Sequence, residues 1–166
     1  MSSLNHELVT AARHELGRPF RHHIKPVNFC DFGRFTVDQC MQQGMDSEGG
    51  FDCVGLVIAS ICRLNGTSVR DWPREYRHKL HEFEVDKEPE FGDVLLIESN
   101  SIRTGRPYGT HMGIYIEPSV VLHANGKSGF VDEGLVAGII TDIKVADVSA
   151  LCELALRQGQ DDGYTS

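Results

Sequence analysis

Apolar residues in the first eighteen positions recur at helical spacing, with Leu4, Leu8, Ala11, Ala12 and Leu16 on one side of a 3.6-residue repeat and Ser2 or Ser3 as candidate caps. Gly17 and Pro19 predict where that helix ends. From Arg21 to Gly50 the periodicity gives way to glycines, single aromatics and polar residues, which predicts a long loop or a small subdomain. A second helix is expected from about Asp52 to Leu64, apolar all round and therefore buried, with Asn65 and Gly66 as a left-handed stop. The segment DWPREYRHKLHEF, opened by Asp71 and Pro73, predicts a third and more polar helix. Beyond it the period changes to two. FGDVLLIE reads as a buried strand and HMGIYIE with VVLHAN as a pair turning at Pro118 and Ser119, while shorter strands are expected at Gly129 to Val131 and Gly138 to Lys144. Asp147 predicts the cap of a last helix through Val148, Leu151, Leu154 and Leu156, and residues 159–166 read as a disordered tail. Helices first and strands after predict an α+β fold, and nothing divides residues 1–158 into more than a single domain.

Composition narrows the partners. A chain of 166 residues, 40% hydrophobic, is long enough to bury one sizeable core. Its net charge of −8 and lack of a basic cluster argue against nucleic acid as a ligand. The opening residues carry His6, Glu7, Arg13 and Glu15 in place of an uninterrupted apolar core, and no segment has transmembrane length, so a chain cytoplasmic as synthesised is expected. Five cysteines, an odd number, fit reduced thiols in such a setting.

Two of those cysteines have different prospects. Asp52 as an N-cap places Cys53 in the first turn of the second helix, where unpaired N–H groups and the helix dipole favour a thiolate. Cys62 sits among Ile58, Ile61 and Leu64 and reads as packing, which is the commoner fate of a cysteine in an apolar run. A nucleophilic thiol needs a base and a group to orient it. With the hairpin turn centred on Pro118, Ile116 is expected opposite Val120 and Gly113 opposite His123. His111, Gly113, Tyr115, Val121, His123 and Asn125 then share one side, and Ile114, Ile116, Val120 and Leu122 share the core side. In that register the two histidines are diagonal neighbours with glycine leaving room between them, although both could equally be ordinary solvent-side residues. The pairs His22-His23 and His78/His81 lack a CxxC or HExxH companion, so neither a metal nor any other cofactor is expected.

Taken together, AARHELGRPF, FDCVGL, FGDVLLI, HMGIYIE and the following VLHANG resemble the NlpC-type cell-wall cysteine peptidases, a papain-like family, in order and spacing over about Leu4 to Val131. Among its branches the pattern looks most like the phage-tail and gene-transfer-agent peptidases. The resemblance implies a papain-like fold with the nucleophile helix packed on a mainly antiparallel sheet. It also implies Cys53 as nucleophile, His111 as general base and His123 as the residue orienting it, with Cys53 N–H at the oxyanion. Asp52 matches a position that can contact the substrate's free amino group. Phe20 stands where tyrosine is common and Val54 where serine is common, so both lose a polar contact and leave the usual cut between D-glutamate and diaminopimelate open. Tyr115 and Asn125 complete the expected substrate-binding set.

The function implied is a peptidoglycan amide hydrolase delivered to the periplasm or cell wall by a phage-tail-like or secretion machine. Tail or secretion-apparatus proteins, or an immunity protein against an antibacterial effector, would be its partners. The alternatives are a papain-like hydrolase or acyltransferase acting on another amide or thioester, and a non-catalytic tail-tip assembly or binding module.

Overall fold

The computed structural model describes residues 3–18, 53–67, 72, 73, 76 and 79–158. Phe20, His22, His23, Cys30, Cys40, Asp52, Asp71, His78, the whole 21–50 segment and the 159–166 tail lie outside the described residues.

Three α-helices and a six-stranded sheet are present among the described residues: α1 (Ser3–Arg13), α2 (Cys53–Asn65), β1 (Glu84–Val85), β2 (Val94–Asn100), β3 (Pro107–Glu117), β4 (Val120–Asn125), β5 (Phe130–Gly134), β6 (Ile139–Ala146) and α3 (Val148–Gln158). The strands lie in the order β1-β6-β2-β3-β4-β5, and each neighbouring pair is antiparallel. This is the α+β arrangement that the segregated pattern predicts. The helices share one core with one face of the sheet: Leu8, Val9 and Ala12 of α1, Leu56 to Cys62 of α2 and Leu151, Leu154 and Ala155 of α3 meet Val94, Leu96, Met112, Ile114, Leu122 and Ala124. On the opposite face Leu95, Ile97, Val121 and Val145 form a smaller cluster with Tyr115 packed against it. A strand buried on both faces reads as a continuous apolar run, which is why VLLI shows no alternation.

α2 behaves as its composition requires, buried from Gly55 through Cys62 and stopped by Gly66 at φ +65°. The start of β2 is tied to α1. The buried Asp93 carboxylate accepts Asn5 Nδ2 at 2.9 Å, the Glu90 N–H at 2.8 Å and Lys87 Nζ at 3.0 Å. Gly92, at φ +83°, lies so close to the Asn5 backbone that a Cβ there would overlap it.

Three expectations are corrected. α1 stops at Arg13 and not at Gly17, and Leu16 is 41% exposed. Its last turn tightens into bonds from His14, Glu15 and Leu16 to Ala11, Ala12 and Arg13, after which Gly17 and Arg18 exchange backbone bonds with Val131 and leave the helix axis. In the third helical segment the described residues include a short 3₁₀ turn, Leu80–Phe83, and a 3₁₀ position at Tyr76, whose N–H donates to the Pro73 carbonyl, with Lys79 outside any helix. There the Phe83 carbonyl accepts the Asp147 N–H and Glu84–Val85 pair with β6, drawing the chain to the sheet edge. α3 runs through Val148, Leu151, Leu154 and Leu156 as expected, with Leu151 and Leu154 buried and Leu156 48% exposed because the helical repeat carries it out of their stripe. At the hairpin Val120 opposes Glu117, not Ile116. A bulge lies between Tyr115 and Glu117, and Ser119 takes a left-handed conformation at φ 67° to close the turn. Past the bulge, Ile114 with Leu122 and Tyr115 with Val121 keep the expected register.

Candidate active site

Cys53 is the first residue of α2 and is half-buried against the main core together with Val54. Cys62 and Cys152 are buried in that core, and burial pushes the Cys152 thiol up, away from ionisation. Among the described residues Cys53 is therefore the thiol that combines partial exposure with a helix N-terminus. α2 packs directly on β3 and β4, the two strands that carry the histidines.

His111 on β3 and His123 on β4 project on the side of the smaller apolar cluster, since the residues alternating with them, Met112, Leu122 and Ala124, enter the main core. His111 Nε2 lies 2.7 Å from His123 Nδ1, with the rings edge to face at 84°. Glycine at position 113 is a condition for this pairing. A methyl group there would collide with Val121 Cγ1 and lie 3.2 Å from the His123 Cβ. Burial first, and repulsion from His123 second, hold the His111 imidazolium down at about 4, so the ring is neutral near pH 7. Burial also lowers His123, against the opposing pull of Asp132 and of the Leu135 backbone.

The other expected residues do not all gather at this pair. Tyr115 lies on the histidine side, packed against the smaller cluster. Asn125 does not reach His111; its Nδ2 donates to both carboxylate oxygens of Asp132, at 3.1 and 3.3 Å. Asp132 Oδ1 is in turn 3.9 Å from His123 Nε2. Val54 lines a cleft of about 530 Å³ on the helix side of the sheet, whose walls include Leu96, Met112, Glu98, Asp142 and Lys144. His81 lines the same cleft, and among the described residues no group of three or more His, Cys, Asp or Glu is placed to hold a metal ion. Asp132 was not legible as a site residue, because aspartate is unfavourable in strands and the short strand from Gly129 was expected to stop at Val131.

A profile of the NlpC/P60 family matches residues 41–150, more than half of the chain and including Cys53, His111 and His123. The chain belongs to the NlpC/P60 family. Membership makes it an enzyme of the cysteine peptidase and amidase class. Two solved structures share the fold of this NlpC/P60 chain. The peptidoglycan hydrolase RipB from Mycobacterium tuberculosis superposes with a TM-score of 0.51 at 20% identity, covering 88% of this chain and 65% of that one. The P60 domain of an antigen from M. avium subspecies paratuberculosis gives 0.50 at 15% identity over 88% of this chain and 95% of that one. The chain thus spans under two thirds of the RipB chain, and at these identities the likeness is one of fold. No curated protein sequence matches it.

Proposed function

We propose that this NlpC/P60 enzyme hydrolyses an amide bond in the stem peptides of peptidoglycan through Cys53, His111 and His123. The observation that carries the reading is the 2.7 Å bond between half-buried His111 and buried His123, on the two strands on which the helix opened by Cys53 packs. His123 engages Nε2 of His111, which leaves Nδ1 of His111 as the nitrogen for the thiol proton.

In the first half-reaction the Cys53 sulfur attacks the amide carbon while its proton passes to His111. The oxyanion is held at the start of α2, where backbone N–H groups have no helical acceptor. Collapse of the tetrahedral adduct breaks the C–N bond, and the proton on His111 goes to the leaving amine. Water then attacks the thioester with His111 taking its proton, which releases the new carboxyl group and restores the thiol. His123 keeps the His111 ring in the plane that serves both transfers.

The substrate assignment is supported by the family and by RipB, a peptidoglycan hydrolase that shares the fold. Delivery to the cell wall by a phage-tail-like or secretion machine belongs to the same proposal. Mass spectrometry of muropeptides from purified sacculi of several cell-wall chemotypes, incubated with wild type and with Cys53→Ala, tests the reading. New free amine and carboxyl termini with wild type alone are expected. Identical peptide patterns from the two proteins would overturn it.

A further inference from the structure

The bond between the histidines can be made in two ways, and only one leaves a base. A neutral imidazole carries one N–H. If His111 Nε2–H donates to His123 Nδ1, the outer nitrogen of His111 keeps its lone pair. If His123 Nδ1–H donates instead, the proton of His111 sits on its outer nitrogen and the ring cannot accept from a thiol. The choice is therefore made at the far nitrogen of His123, which bears a proton in the first arrangement and a lone pair in the second.

That far nitrogen, Nε2, is buried and has no hydrogen-bond partner of ordinary geometry among the described residues. Asp132 Oδ1 stands 3.9 Å from it, on the residue directly opposite His123 in the β4–β5 pairing. The carboxylate is fixed. Asn125 Oδ1 accepts the Lys127 N–H at 3.0 Å, which orients the amide so that Nδ2 donates to both oxygens of Asp132. Among the described residues, the titratable groups facing His123 are His111 from β3 and Asp132 from β5; Glu133 next along pairs with Arg13 at 2.8 Å. A negative charge beside Nε2 attracts an N–H and repels a lone pair.

We propose that Asp132, clamped by Asn125, is a positioning residue that keeps the proton of His123 on Nε2 and thereby keeps the outer nitrogen of His111 basic. The lowering of His123 by burial, opposed first by Asp132 and then by the Leu135 backbone, agrees with a neutral ring whose tautomer rather than charge is being set. The inference rests on the Cys53, His111 and His123 reading and adds a fourth and a fifth side chain to it.

Imidazole 15N–1H correlation spectra of the full chain at pH 7.5 read the tautomer, and the rate of Cys53 carbamidomethylation by iodoacetamide, followed on its own peptide by mass spectrometry, reads the base. Wild type is expected to show His123 protonated on Nε2. Asp132→Asn should raise the Nδ1–H form of His123 and slow Cys53 alkylation about ten-fold, and Asp132→Glu should recover most of the rate. Asn125→Ala, which keeps the carboxylate but releases it, serves if Asp132→Asn fails to fold and should slow alkylation in the same direction. A folded Asp132→Asn or Asn125→Ala with wild-type tautomer and rate overturns the inference. His111→Ala separates the two levels. If it leaves the alkylation rate unchanged, the catalytic reading fails, whereas a collapsed rate with Asp132→Asn at wild-type level removes only the role of Asp132.

Discussion

Nε2 of His111 and Nδ1 of His123 are 2.7 Å apart, and the pairing depends on a residue with no side chain between them. Neighbouring strands bring diagonal side chains close, but an edge-to-face contact of two rings needs the intervening position empty. Gly113 supplies that space at the centre of a sheet that is apolar on both faces.

Replacing His123 should separate orientation from nucleophilicity. His123→Ala is expected to lower kcat by about 10²-fold with little change in KM. His123→Asn should recover part of that loss, since an amide oxygen can accept from His111 Nε2. Steady-state kinetics on purified sacculi check both; a larger change in KM than in kcat would count against an orienting role.

Gly113→Ala should damage stability and activity together. The methyl group meets Val121 Cγ1 and the His123 Cβ, so the β3–β4 pair has to shift. A loss of about 1–3 kcal/mol in urea unfolding is expected, with activity falling further than the folded fraction because the histidines move apart.

Acid should weaken the fold in a defined window. His111 has a folded value of about 4 against an ordinary 6.5, so between these limits the unfolded chain binds a proton that the native chain does not. Stability from this source is complete above 6.5 and is lost as pH falls through 4, and His123 shifts in the same direction. Urea midpoints at pH 7.5 and 4.5 should fall further for wild type than for His111→Gln; equal losses would remove His111 from the account.

A buried ion pair on the other side of the molecule gives an asymmetric test. Glu15 is 1% exposed and accepts Arg63 Nη2 at 2.8 Å, while Arg63 is 24% exposed. Arg63→Met leaves the buried Glu15 carboxylate with its looser partner Arg18, at 3.7 Å, and should cost about 2 kcal/mol. Glu15→Gln leaves an arginine that can reach water, so a loss of about 1 kcal/mol is expected. Denaturant titration of the two variants checks the order.

The period-two pattern of HMGIYIE and VVLHAN was enough by itself to put His111, Gly113 and His123 on one side of a hairpin, because a strand alternates faces whatever surrounds it. Gly66 ended α2 where a left-handed residue was required, and the apolar run from Leu56 to Cys62 determined its burial, both being local properties of the chain. Tertiary contacts decided the rest. The exchange of backbone bonds between Gly17, Arg18 and Val131 ended α1 early, the capture of Phe83 by Asp147 drew the polar segment to the sheet edge, and the bulge at Ile116 came from closing a two-residue turn. Asp132 reached His123 only through the β4–β5 register, and which nitrogen faces which is a matter of tenths of an ångström between strands. Periodicity fixes the face on which a side chain lies; only packing between elements fixes the atom it meets.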